Sequence, residues 1–165
     1  HSYSHLYGIP ASALRFFTVY GPWGRPDMAI FKFVRAIFEG RPIDVYNHGH
    51  LRRDFTYVDD VVDAVMAVAA QPPQGTTGVV PHRVLNVGHN GPVLLMDFIG
   101  CLERACGREA VKNFLPMQAG DVPDTWADTT RLETQFGVRA GTDLQTGVQR
   151  FVDWFRSYYG VSQDR

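Results

Sequence analysis

The sequence predicts an α/β chain, and three observations carry that prediction. Two short apolar runs, Ala13 to Tyr20 and Val84 to Gly88, read as strands buried on both faces, as in a parallel sheet. Around them lie segments whose apolar residues recur at helical spacing, the clearest being Met28 to Glu39. Gly and Pro residues mark the junctions between these segments. With 165 residues, 45% of them hydrophobic and 20% charged, the chain can bury a core.

Each element follows in order. His1 to Tyr7 reads as the last turns of a helix stopped by Gly8 and Pro10. The strand from Ala13 leads into a loop, Gly21 to Pro26, and Asp27 is expected to cap a helix over Met28 to Glu39. That helix carries Ile30, Phe33, Val34, Ile37 and Phe38 on one stripe and ends at Gly40. A short strand over Ile43 to Tyr46 precedes a turn at Asn47 to His50, and Arg53 to Val58 is extended. Asp59 or Asp60 is expected to open a helix through Val61, Val62, Val65, Met66 and Val68, ended by Pro72 and Pro73. Gln71 to Pro81 is then a surface loop.

After the strand at Val84, a helix from about Leu94 to Cys106 ends at Gly107, and Asn113 to Leu115 is a short strand. Asp128 is expected to cap a brief helix closed by Gly137. Thr142 and Gln145 read as a capping box for a final helix, Asp143 to Tyr159, with Leu144, Val148, Phe151, Val152 and Phe155 on its apolar side. The strands at 13–18 and 84–88 look central, yet few segments are available to flank them. The sheet is therefore expected to be completed by upstream residues or by a second copy, and a homodimer is expected.

Charge and composition exclude several partners. Sixteen basic against seventeen acidic residues leave a net charge of -1, with no basic field for nucleic acid and no cluster for an anionic membrane. No apolar run approaches the length of a membrane span, and the first residues carry no signal-peptide pattern. Cys101 and Cys106 lie five apart in one expected helix, about 500° of rotation, so they leave on different faces and do not bridge. Reduced thiols fit a cytoplasmic location. His48-Gly49-His50 reads as a polar turn rather than a metal site, and no metal is expected.

Three stretches carry a resemblance: LRFFTVYGPWGRPDMA (Leu14 to Ala29), RRDFTYVDDVV (Arg52 to Val62) and QAGDVPDTWAD (Gln118 to Asp128). In this order and at these separations they resemble the extended short-chain dehydrogenase/reductase superfamily, and within it the UDP-glucuronate 4-epimerases. The resemblance implies that the chain is the carboxy-terminal portion of that fold: the last strands of a Rossmann sheet plus a small substrate-binding α/β domain. Residues 1–24 would be the tail of the Rossmann domain and residues 25–165 mainly the substrate-binding domain, with 55–90 returning to the Rossmann sheet. NAD would be bound by an amino-terminal half. Neither a G-x-G-x-x-G fingerprint nor the family's catalytic Tyr-x-x-x-Lys occurs in these residues, so no residue here is assigned a catalytic role and the piece alone is expected to be inactive.

The same resemblance assigns binding roles. Thr18, at the carboxyl end of its strand, would contact the sugar; otherwise it is a strand-favouring Thr with a satisfied hydroxyl. Arg25, in a Gly-Arg-Pro-Asp segment, would meet the C6 carboxylate of glucuronate with its planar fork of donors. Its bland alternative is an exposed loop arginine. Arg53, directly before Asp54-Phe55, would contact the UDP diphosphate, and Tyr46 would pack by the uracil ring or merely cover the small domain's core. Gln118, standing where many relatives carry arginine, is reduced to a hydrogen bond, and Asp121 is either a nucleotide contact or a turn residue. Asp59-Asp60 read as a helix-start pair favoured by the dipole, not as an acid pair. Trp23 and Phe31 read as pocket walls.

The activity implied is conversion of UDP-glucuronate to UDP-galacturonate through a 4-keto intermediate, with surface-polysaccharide supply as its use. The alternatives are a UDP-glucose 4-epimerase, a UDP-glucuronate decarboxylase, a nucleotide-sugar 4,6-dehydratase, or a non-catalytic binding module.

Overall fold

Residues 1–161 are described in a computed structural model, where helices and short strands alternate along the chain. In order they are α1 (Ser2–Tyr7), β1 (Ala11–Phe16), β2 (Thr18–Tyr20), α2 (Ala29–Glu39), β3 (Ile43–Val45), a 3-10 turn (Tyr46–Gly49), β4 (Arg52–Tyr57) and α3 (Val58–Ala69). There follow β5 (His82–Val87), β6 (Pro92–Leu94), α4 (Leu95–Cys106), β7 (Lys112–Phe114), β8 (Asp124–Thr125), α5 (Thr130–Phe136) and α6 (Leu144–Tyr159).

The single strand expected from Ala13 to Tyr20 is two strands. The Val19 N–H donates to Phe17 O at 2.9 Å, a three-residue turn that moves the chain from one partner to the next. Before it, β1 pairs in parallel with β5 from Ala11–His82 to Phe16–Val87; after it, β2 pairs in parallel with β4, Thr18 opposite Phe55 and Tyr20 opposite Tyr57. Burial on both faces is also corrected. Phe16 is 51% exposed, and in β5 only Leu85 and Val87 are fully buried, because β1 and β5 form a two-stranded sheet among the described residues.

β4 is the hub. Arg52 to Asp54 pair antiparallel with β6, Arg52 and Arg53 pair in parallel with β8, and Phe55 to Tyr57 pair with β2. Neither β6 nor β8 was expected. β3 and β7 make a separate parallel pair. Two apolar clusters result. Tyr20, Phe55 and Tyr57 join the buried faces of α2, α4 and α6, with the Phe55 and Phe98 rings stacked 4.1 Å apart. Leu85 and Val87 pack with Val61, Ala64 and Val68 of α3 and Leu132 of α5.

Several expected caps went elsewhere. Asp27 does not cap α2; Met28 holds the cap position with no side-chain bond, and the Asp27 carboxylate is taken by Arg25. Asp59 and Asp60 lie in the first turn of α3, behind Tyr57 at the cap. The capping box at α6 is not formed. Asp143 caps the helix by accepting from Thr146 N, Thr142 turns to Asp60, and Gln145 accepts from Arg104. Thr129, not Asp128, sits at the cap of α5, while Asp128 Oδ1 accepts from Thr130 N. The two cysteines are free and buried, and burial pushes the Cys106 thiol up to about 12. Among the described residues no helix is long and apolar enough to cross a membrane.

Candidate functional site

The site begins with a buried carboxylate that the sequence reading overlooked. Asp54 has no exposed surface, and its oxygens accept the backbone N–H groups of His89, Asn90 and Ala127 at 2.8, 3.0 and 2.8 Å. A buried carboxylate is tolerable only when its lone pairs are so met. These bonds tie β4 to the turn after β5 and to the segment after β8. Gly88 follows from the same crowding, since a β-carbon there would lie 2.4 Å from Ala127 Cβ and 2.9 Å from Asp54 Oδ2. In the sequence Asp54 is one acid between Arg53 and Phe55, with no spacing pattern to mark its burial.

With β4 so fixed, its neighbour Arg53 projects to a defined place. Nη1 donates to the carbonyls of Arg52 and Pro123 at 2.8 and 3.0 Å, and Nη2 donates to Asp121 Oδ1 at 2.7 Å. Asp121 is also tied within its own turn, its N–H donating to Gln118 O at 3.2 Å and its Oδ1 accepting from Val122 N at 2.9 Å. Arg53, Gln118 and Asp121 are therefore one cluster. Gln118 contributes its backbone carbonyl to it, and its side chain is exposed.

Tyr46 belongs to the same end of the molecule. Leu115, which starts the loop to Gln118, donates its N–H to Val45 O and accepts from His48 N, bracketing the Tyr46 turn at 3.0 Å on each side. Asn47 and His48 hold left-handed φ values of 49°, so this turn is conformationally strained as well as pinned. Half-buried Tyr46 lines a groove of about 600 Å³ together with Pro26, Asp27, Phe31, Lys32 and Phe33. A groove of this size suits a small-molecule ligand. Phe31 lines this groove although it is only 3% exposed. Trp23 does not line it; it is 70% exposed and its ring packs on Trp154 and Tyr158. Lys32 and Arg35 of α2 also line the groove, and they were not singled out in the sequence because only the apolar stripe of this helix carries a periodic signal.

Arg25 stands just outside the groove lining, while the two residues after it, Pro26 and Asp27, are part of it. Its Nε donates to Asp27 Oδ1 at 3.0 Å and its Nη2 to Asp27 Oδ2 at 2.5 Å. That pairing raises the guanidinium's pKa and holds the Asp27 carboxyl below its ordinary value, the direct hydrogen bond being the main cause in each case. Thr18 is half-buried at the start of β2 rather than at the end of a long strand, opposite Phe55 and so two residues along β4 from Arg53.

The chain matches the NAD dependent epimerase/dehydratase family over residues 1–88. It is 48% identical to a probable UDP-glucuronate 4-epimerase of Rhizobium meliloti over 96% of this chain and 50% of that protein. It is 43% identical to UDP-glucuronate 4-epimerase 1 of Arabidopsis thaliana over 98% of this chain and 40% of the relative. The crystal structure of UDP-glucuronic acid 4-epimerase from Bacillus cereus in complex with UDP-glucuronic acid and NAD superposes with a TM-score of 0.84 at 33% identity, covering 96% of this chain and 49% of that one. The chain spans about half the length of the curated relatives it matches.

Proposed function

Because this chain belongs to the NAD dependent epimerase/dehydratase family, we propose that it supplies the sugar-nucleotide-binding part of a UDP-glucuronate 4-epimerase. The reaction is inversion at C4 of the sugar, UDP-glucuronate to UDP-galacturonate, through a 4-keto sugar. One observation carries the acidic-sugar reading: Arg25, beside the groove, has the Nη1 corner of its guanidinium without a hydrogen-bond partner among the described residues. A guanidinium edge matches a carboxylate in bidentate fashion. The similarity to proteins named UDP-glucuronate 4-epimerase supports the same substrate.

The roles divide by chemistry. Arg53 meets the diphosphate, whose partial desolvation demands a cation with hydrogen-bonding direction. Tyr46 stacks by the uracil, Gln118 adds a hydrogen bond and Asp121 holds Arg53 and the nucleotide loop. Thr18 contacts the sugar and Arg25 its C6 carboxylate. Anchoring UDP by Arg53 and Tyr46 leaves the sugar free to present either face, which inversion at C4 requires. Arg25 has a second task, since a 4-keto glucuronate is a β-keto acid prone to lose carbon dioxide, and a paired carboxylate resists that loss.

NAD supplies the redox chemistry of this family when bound. The residues present do not fit it, because these 165 residues contain neither the glycine fingerprint nor the Tyr-x-x-x-Lys. No side chain of this chain is assigned to hold NAD, and a separate amino-terminal half is its place in this reading. Residues 1–24 and 55–90 then belong to the Rossmann sheet and the remainder to the substrate domain. A cytoplasmic homodimer serving polysaccharide synthesis completes the reading.

The test is a product assay on the full-length gene product containing this chain. UDP-glucuronate is expected to give UDP-galacturonate, with UDP-glucose a poor substrate. Pentose as the main product would identify a decarboxylase, and preference for UDP-glucose would remove the acidic-sugar reading.

A further inference from the structure

Arg25 and Asp27 are both largely exposed, with side-chain exposures of 76% and 57%. A surface pair of this kind adds little to stability, so its geometry is better explained by what it does to the guanidinium. Asp27 engages the Nε–Nη2 edge in two parallel hydrogen bonds. The opposite Nη1–Nη2 edge keeps the Nη1 corner unpartnered among the described residues. The pair spans Pro26, whose ring fixes one backbone torsion between them. The loop is further set by a Gly24 N–H to Gly21 O bond at 3.2 Å and a Met28 N–H to Arg25 O bond at 3.2 Å. Gly21 is held against β4 and α3, where a β-carbon would meet Val58 Cγ1 at 2.5 Å. Asp27 lines the groove and Arg25 does not.

We propose that Asp27 is a positioning residue for Arg25: by occupying the Nε–Nη2 edge, it presents the Nη1–Nη2 edge to an acidic sugar. The inference rests on the acidic-sugar reading above and deepens it. A free arginine side chain samples many rotamers, and a ligand that must freeze them binds more weakly. Asp27 has done that ordering beforehand. It also neutralises the local charge, so the site selects a carboxylate by a directed fork rather than by bare positive potential. The opposite role is a competitor, in which Asp27 occupies the arginine until a ligand carboxylate displaces it. The two differ in sign: removing a competitor tightens acidic ligands, and removing a positioning group weakens them.

The experiment measures dissociation constants of UDP-glucuronate and UDP-glucose by calorimetry on the full-length gene product and its Asp27→Ala, Asp27→Asn and Arg25→Ala variants. Asp27→Ala is expected to weaken UDP-glucuronate about 5-fold, on the scale of one exposed ion pair. Asp27→Asn, which keeps one acceptor oxygen, is expected to weaken it less; both Asp27 variants are expected to weaken UDP-glucuronate more than UDP-glucose, with the thermal midpoint unchanged. Equal or tighter UDP-glucuronate binding in Asp27→Ala overturns the inference. So does equal weakening of both ligands, which marks a merely structural role. If Arg25→Ala weakens UDP-glucuronate while Asp27→Ala does not, only the positioning role falls. If Arg25→Ala itself leaves UDP-glucuronate binding unchanged, the acidic-sugar reading falls with it.

Discussion

Arg53 Nη2 donates to Asp121 Oδ1 at 2.7 Å, joining two residues that are 68 positions apart in sequence. The pair is partly shielded, the side chains being 20% and 32% exposed. It fastens the loop after β7 to the rim of β4, where the guanidinium is also held by two carbonyls. An arginine held on three acceptors has little rotamer freedom left to lose on meeting a diphosphate.

Arg53→Lys is expected to keep the charge but lose the fork, since an ammonium cannot reproduce several directed bonds at once. UDP binding by the full-length protein should weaken about 10-fold, the scale of one charge-assisted hydrogen bond. Calorimetry with UDP alone checks this, because it removes any contribution from the sugar.

Asp54→Asn should destabilise the fold by on the order of 3 kcal/mol. The new amide group would face backbone donors that now point at a carboxylate oxygen, the N–H groups of Asn90 and Ala127 among them. Chemical denaturation reads the effect as a lower midpoint with an unchanged slope.

Tyr20 and Gly147 make a coupled pair. The Tyr20 hydroxyl is buried with no hydrogen-bond partner among the described residues, and a β-carbon at Gly147 would lie 2.8 Å from Tyr20 Cζ. Gly147→Ala is expected to cost about 1–3 kcal/mol by overpacking. Tyr20→Phe removes an unmet polar group and shortens the side chain, so the double variant should regain part of that loss. Denaturation of the four proteins in a double-mutant cycle measures the coupling.

Glu103 gives a pH dependence with a definite sign. Burial pushes its carboxyl up, but the Lys112 ammonium at 2.5 Å, the Ala110 N–H at 2.8 Å and nearby Arg104 outweigh that, so the net shift is downward. A folded value below the unfolded one stabilises the fold above the ordinary carboxylate range and loses that contribution as pH falls through the folded value. Glu103→Gln should therefore lower stability at neutral pH and flatten its decline in acid, as followed by thermal midpoints across the acid range.

The helices α2, α4 and α6 were legible because each buries one continuous stripe, and their terminal Gly40, Gly107 and Gly160 adopt the left-handed conformation typical of a helix end. What escaped was decided by tertiary partners. β6 and β8 are three and two residues long and owe their existence to β4, so no local pattern marks them. Two of the misplaced caps share one cause: Asp27 and Thr142 have the right chemistry for a helix start but found partners in Arg25 and Asp60. The break at Phe17 was likewise invisible, since an apolar run does not reveal that its two halves pair with different strands. Arg53 and Asp121 were each read as candidates, yet their contact depends on the turn that follows β7. Asp54 was passed over because a single acid beside Arg53 carries no spacing signature, although its burial organises everything around it.

The central claim is that Arg25 reads an acidic sugar on UDP. A crystal structure of the full-length protein with UDP-glucuronate tests it most directly. The account predicts Arg25 Nη1 and Nη2 on the two oxygens of the C6 carboxylate, with Asp27 still on the Nε edge. An Arg25 guanidinium pointing to solvent, with the carboxylate held by other groups, would contradict it.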